Sequence, residues 1–138
     1  MDKIFNGDCL EVLKTLPDDL VDLVLTDPPY EMNMKTSASS ELNKRFNNVE
    51  FELQDLDIIH GFNEEILAEL VRVCKNINMY FWCNKAQLPM YFKLIEQYNC
   101  SFDIIKWVKT NPGPAYNNKY MSDTEYCVLI RGGAYGNH

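Results

Sequence analysis

The 138-residue chain predicts an α/β fold: a mostly parallel sheet with an antiparallel pair of strands at one edge. Three observations lead there. Short apolar runs of strand length, Val21–Leu25 and Ile77–Cys83, alternate with segments of helical periodicity. Two further strand-like runs, Ser101–Lys109 and Thr124–Arg131, follow each other with only a loop between them, so they must lie antiparallel. Finally, the run ending at Thr26 stops abruptly on Asp27-Pro28-Pro29-Tyr30, placing an acid, a rigid turn and an aromatic at the carboxyl end of a strand, where open α/β sheets hold their ligands.

Taken in order, Lys3–Asn6 is a short strand candidate, followed by Gly7-Asp8-Cys9-Leu10-Glu11, in which Asp8 and Glu11 have capping-box spacing. A helix is expected from Cys9, with Leu10, Leu13 and Leu16 on one side and Pro17-Asp18-Asp19 ending it. Strand, helix and the Val21 strand make a βαβ opening. Periodicity then fades. Residues 31–62 are read as a lid, since long structureless stretches in compact domains are often lids or binding loops; an ordinary surface insertion fits the same composition. Asn63-Glu64-Glu65 caps the clearest helix, whose apolar face is Ile66, Leu67, Leu70, Val71 and Cys74. Ile77–Cys83, dense in Met, Tyr, Phe and Trp, suits a strand buried on both faces. The next helix starts at Asn84 or Leu88, because Pro89 is tolerated only in a first turn, and Asn99 stops it. The whole is one domain, residues 1–138.

Composition narrows the function. A net charge of −7 excludes a surface that binds polyanions everywhere, so any nucleic-acid site must be a local basic patch. Lys106, Lys109 and Lys119 surround the Asn111-Pro112-Gly113-Pro114 loop together with Trp107, Tyr116 and Tyr120; this is the best such patch, and a solvated hairpin tip is its plain alternative. The five cysteines form no Cys-x-x-Cys pair and are expected to be reduced and mostly core. No apolar run approaches the roughly 18 residues of a membrane span, and the start is no signal peptide, so a cytoplasmic location is expected. His60 and His138 lack ligand-spaced neighbours, and no metal site is assigned.

The Asp27-Pro28-Pro29-Tyr30 turn suits alkylation of an exocyclic amine on a flat heteroaromatic ring. The lone pair of such a nitrogen is delocalised, so attack needs acceptors that hold the N–H bonds while the nitrogen pyramidalises. Asp27 offers a carboxylate, the Pro28 carbonyl a second acceptor, and Tyr30 a face worth about 1–3 kcal/mol of stacking per base. By itself such a tetrapeptide is most simply a strand stop with a half-buried tyrosine.

Context changes the reading. Asn6–Leu13 through Val21–Tyr30 resembles the opening of an amino-group DNA methyltransferase of the N6-adenine or N4-cytosine kind. Trp107-Val108-Lys109-Thr110-Asn111-Pro112, then Ser122–Tyr126, is similar to the later part of the same catalytic region. The resemblance implies a Rossmann-like methyltransferase sheet, S-adenosylmethionine as methyl donor, and a target base flipped out of DNA, as in restriction-modification systems. It places Asp27, Pro28, Pro29 and Tyr30 at the target amine, with adenine favoured over cytosine by Asp27, and it places Asp8, Cys9 and Asp27 beside the cofactor. Asp8 is an equally good helix cap. The patch at Lys106, Lys109, Asn111 and Lys119 would meet DNA.

One family feature is missing: no Phe-x-Gly-x-Gly turn is present, and Gly132-Gly133-Ala134-Tyr135-Gly136 reads as a chain-end turn. The chain therefore resembles the catalytic half of a permuted member, its sheet lacking the strands that resemblance places between Lys3–Asn6 and Val21–Thr26. Direct pairing of those two strands, self-association, or a chain supplying the glycine-rich half would close the gap. A non-catalytic remnant that binds nucleic acid or a protein is the alternative function, and methylation of a protein side-chain amide a third.

Overall fold

A computed structural model describes residues 3–29, 61–111 and 123–133. The lid stretch up to residue 60, Tyr30, Tyr116, Lys119, Tyr120, His60 and His138 lie outside the described residues. Among these residues three helices and four strands are formed, in the order α1 (Cys9–Thr15), β1 (Val24–Thr26), α2 (Glu64–Val73), β2 (Asn78–Cys83), α3 (Leu88–Gln97), β3 (Ser101–Val108) and β4 (Thr124–Arg131).

Local signals in the sequence set the helix ends. The Asp8 carboxylate accepts from the Leu10 and Glu11 amides at 3.0 and 3.1 Å and starts α1 at Cys9. Asn63 Oδ1 accepts from the Ile66 amide at 2.8 Å and starts α2. Pro89 falls in the first turn of α3, and Asn99 ends that helix in the left-handed conformation (φ 48°) that asparagine tolerates.

The sheet runs β1-β2-β4-β3, with β1 parallel to β2 and β4 antiparallel to both its neighbours. The expected antiparallel pair is thus present at one edge, with the last strand inserted between β2 and β3. Register puts Val24, Met79, Ile130 and Phe102 in one row across the sheet and Thr26, Phe81, Val128 and Ile104 in another. This face is the core: Met79, Phe81, Cys83, Val128 and Ile130 are fully buried against Leu67 and Leu70 of α2 and Tyr91, Leu94 and Ile95 of α3. Phe81 stacks on Tyr91 with ring centroids 4.7 Å apart. Each such burial is worth about 1.5–3 kcal/mol.

The opposite face of β2 is half-buried at Tyr80 and Trp82, so the strand is core on one side and partly covered on the other, where the sequence predicted burial on both. On that side Leu25 is 67% exposed, and Ile105 and Trp107 are half-exposed. Trp82 and Trp107 meet edge to face at 6.1 Å.

Two predicted strands change. Lys3–Asn6 forms no strand: Ile4 is 99% exposed, no ladder reaches it, and the chain passes straight into the Asp8 cap. A strand exists only by pairing, and among the described residues this segment has no partner. The Val21 run starts its ladder three residues late, at Val24. Val21 makes an isolated parallel bridge to Cys74, while the Asp22 carboxylate and carbonyl are taken by Lys75 (2.7 Å) and Asn78 (3.3 Å).

Arg72 joins the first helix to the rest. Its guanidinium donates to the Leu13 and Leu16 carbonyls, both at 2.9 Å, and to Glu69 and Asp18, whose carboxylates raise its pKa further. The five cysteines are free, with Cys74, Cys83 and Cys127 buried as expected, Cys100 half-buried and Cys9 exposed. Burial, with Cys127 nearby, pushes the Cys83 thiol up to about 11. No helix among the described residues is long and apolar enough to cross a membrane.

Candidate active site

β1 delivers Asp27 to the carboxyl end of the sheet beside the carboxyl end of β2, since Thr26 pairs with Phe81. The two prolines end the ladder there. Pro28 is buried, Pro29 half-buried and Asp27 exposed. Among the described residues the Asp27 carboxylate has no hydrogen-bond or ion-pair partner. An exposed, uncommitted acid ahead of a buried proline is a ready acceptor for donor groups on a ligand.

The turn is gripped from the next strand. Asn84 follows β2, and its side chain accepts from the Ala86 amide at 2.8 Å, shaping the turn into α3. Gln87, only 3% exposed, accepts from the Asn84 amide at 3.1 Å through Oε1 and donates through Nε2 to the Pro29 carbonyl at 3.0 Å. Gly61 closes the same spot: a Cβ there would stand 2.5 Å from Gln87 Nε2 and 3.2 Å from the Pro29 oxygen. Sequence reading missed both residues. A Gln three residues after Asn84 signals a local turn, but nothing local signals a partner 58 positions earlier.

On the core side of β1 lies a cavity of about 260 Å³ lined by Phe5, Gly7 and Cys9 ahead of and within α1, Thr26 of β1, and Phe62 and Ile66 at the start of α2. Cys9 therefore shares this cavity with Thr26, the residue before Asp27, while Asp8 is not part of its lining. One oxygen of Asp8 is engaged as the helix cap. Partial desolvation, then the Asp8 charge, raises the Cys9 pKa even though the residue is exposed, leaving it a weaker nucleophile than an ordinary thiol. A recess of about 340 Å³ between α2 and α3, beside the Lys93–Glu64 ion pair, shares no residue with the turn.

Of the described glycines near the end, Gly132 serves packing. A Cβ on Gly132 would stand 2.9 Å from Ile77 Cβ, and the Gly132 amide donates to the Ile77 carbonyl at 2.7 Å, so close approach to β2 explains that residue. Gly133 takes the left-handed conformation (φ 92°). In the basic patch, Lys109 is ion-paired with Glu125, Lys106 is exposed with no partner among the described residues, and Asn111 is exposed. Alternation along β3 sends Lys106 and Trp107 to opposite faces. No cluster of metal-ligating side chains occurs among the described residues.

Comparison with known proteins gives a consistent picture. Residues 21–135 match the family model for N6/N4 methyltransferases, described as DNA methylase. The type II methyltransferase M.BamHI of Bacillus amyloliquefaciens is 46% identical over 133 residues, covering 94% of this chain and 29% of that protein. M.HinfI of Haemophilus influenzae is 30% identical over 135 residues, covering 94% of this chain and 37% of that protein. The chain therefore spans less than half the length of these relatives. Its fold resembles the crystal structure of an M1.HpyAVI–SAM complex, with a TM-score of 0.58 and 22% identity over all of this chain and 62% of that one. It also resembles a DNA modification methylase of Thermus thermophilus, TTHA0409, complexed with S-adenosyl-L-methionine (TM-score 0.55, 19% identity, 96% of this chain and 54% of that one). With the family model covering most of the sequence and the sheet matching these enzymes, the chain belongs to the N6/N4 DNA methylase family.

Proposed function

We propose that this chain carries the target-amine side of a DNA amino-methyltransferase site and transfers methyl to adenine N6 in preference to cytosine N4. The observation that carries the reading is the exposed Asp27, without a partner among the described residues, immediately before buried Pro28 at the carboxyl end of β1. Its carboxylate and the Pro28 carbonyl accept the two N–H bonds of an exocyclic amine. That drives the nitrogen lone pair out of conjugation and favours the cationic nitrogen of the transition state. Once the methyl is attached, the surplus proton leaves the nitrogen toward the Asp27 side. Tyr30 follows directly and supplies the stacking face for a flipped base. Lys106, Lys109, Asn111 and Lys119 are the DNA contacts of this reading, with Lys109 shared with Glu125.

S-adenosylmethionine, when bound, supplies the electrophilic methyl group. The residues present fit one wall of its site: the cavity beside Cys9 and Thr26 is apolar enough for the aliphatic part of such a ligand, and the second oxygen of Asp8, next to Cys9 in sequence, takes no part in the α1 cap. A glycine-rich backbone cradle is not among the described residues. We therefore take the opposite wall to come from a further segment or a partner chain pairing with the outer edge of β1.

The test is transfer of labelled methyl from S-adenosylmethionine to unmethylated DNA, by this chain alone and co-expressed with the remaining segment of the M.BamHI relative. Transfer that disappears in Asp27→Ala is the expected result; undiminished transfer in that variant refutes the assignment. Calorimetric titration of the chain alone with the cofactor is expected to show weak or no binding, and micromolar affinity overturns the claim of a second wall. A non-catalytic binding subunit is the second reading, favoured by the edge position of three-residue β1. Stable DNA binding with no transfer in the completed pair selects it.

A further inference from the structure

Within Asp27-Pro28-Pro29 the two prolines offer no backbone donor. The Pro28-Pro29 part of the turn can therefore hydrogen-bond to the fold only through its carbonyls, by a donor from elsewhere. Gln87 is that donor. It is the buried polar residue among the described ones, and both ends of its amide are used. Their identity is fixed by chemistry: the Asn84 amide can only donate, so it faces Oε1, and the Pro29 carbonyl can only accept, so it faces Nε2. Asn84 follows β2 and Pro29 follows β1. One side chain therefore bridges the carboxyl ends of two neighbouring parallel strands, and Gly61 leaves it no room to withdraw toward residue 61.

We propose that Gln87 is a positioning residue for methyl transfer: by holding the Pro29 carbonyl it fixes Asp27 and the Pro28 carbonyl relative to β2, and leaves the Pro28 carbonyl for the substrate amine. The proposal rests on the methyl-transfer reading. Gln87 touches no reacting atom and exchanges no proton. Its effect is geometric, and misplacement of acceptors by about 1 Å lowers rates on the order of 10²-fold.

Two variants and one spectroscopic measurement test it. Gln87→Met keeps the length and apolar bulk but cannot donate; it is expected to lower kcat about 10–100-fold with KM for DNA within about twofold, measured well below its unfolding midpoint. Gln87→Glu provides the rescue. As a carboxylate it sets oxygen against the Pro29 carbonyl, but protonated it is isosteric with glutamine, its carbonyl accepting from Asn84 and its hydroxyl donating to Pro29. Desolvation and the facing carbonyl raise that carboxyl's pKa. Its kcat relative to the unsubstituted protein should therefore rise as pH falls, whereas the Gln87→Met ratio stays flat. A purely structural bond lowers the unfolding midpoint and produces no such profile. In ¹⁵N spectra the Gln87 side-chain amide should appear as an exchange-protected NH₂ pair absent from Gln87→Met. Rapid exchange of that pair overturns the clamp. Unchanged kcat in Gln87→Met, or a flat pH ratio for Gln87→Glu, overturns the positioning role. Absence of transfer by the unsubstituted completed protein instead removes the methyl-transfer reading, and the role that rests on it falls too.

Discussion

Gly61→Ala perturbs the Pro29 clamp from its third side. The added Cβ would lie 2.5 Å from Gln87 Nε2, and ordinary contact begins at 3.4 Å, so the amide must retreat by about 0.9 Å. A flexible side-chain end could normally yield at little cost. This one is held at 3.1 Å by Asn84 and at 3.0 Å by Pro29, and a retreat of that size takes at least one bond beyond hydrogen-bonding range. An amide or carbonyl left buried without its partner costs about 1–3 kcal/mol, the same range as overpacking by one methyl. The expected loss is therefore about 1–3 kcal/mol, read from urea unfolding followed by circular dichroism. Gly7→Ala is the control: its Cβ would meet Val12 at an ordinary 3.6 Å, and a change within about 0.5 kcal/mol is expected. If Gly61→Ala is as stable as Gly7→Ala and keeps the Gln87 amide protected from exchange, the reasoning about the clamp is wrong.

Phe81→Ala removes a fully buried ring stacked on Tyr91 and should cost about 3–5 kcal/mol, with a lower unfolding midpoint and an unchanged urea slope; a loss under about 1 kcal/mol contradicts the assigned core. Asp8→Ala removes the α1 cap and should cost about 1 kcal/mol; comparing its cofactor affinity in the completed enzyme with that of Asp8→Asn, which still caps, separates capping from ligand contact. Cys9 should alkylate more slowly than a model thiol at about pH 8, because its raised pKa leaves less thiolate, and its rate should still climb past the ordinary thiol pKa of 9.0; peptide mass spectrometry reads this, and a rate equal to the model thiol refutes it.

The parts of the fold that were legible in the sequence are those whose causes are local. Asp8, Asn63 and Pro89 set helix starts within three residues of themselves, and the apolar face of α2 is visible as Leu67 and Leu70 at helical spacing. The sequence shows no helical pattern between Lys109 and Thr124, which made antiparallel pairing of β3 and β4 a matter of chain geometry. Lys3–Asn6 failed because strand identity is a property of a pair, and Ile4-Phe5 alone cannot show that the pair is missing. The start of β1 was misplaced because Lys75 and Asn78, more than 50 positions away, engage Asp22. In the site, Asp27 and Pro28 were readable from residue chemistry. Gln87 and Gly61 were not, since their meaning arises only where β1 and β2 come together.

The strand order has a consequence for how the chain acquires its shape. β4 is the last strand in sequence, yet it occupies an interior place, and β3 pairs only with it among the described strands. β3 therefore has no ladder until Thr124–Arg131 is available, and the hairpin must close before or as it docks on β2. Along a growing polypeptide, Phe102, Ile104, Ile105 and Trp107 wait unpaired while roughly the following 15 to 30 residues emerge, a delay of a few seconds at synthesis rates of about 5–20 residues per second. That interval is when this molecule is most open to misassociation, and slower elongation beyond residue 108 would lengthen it.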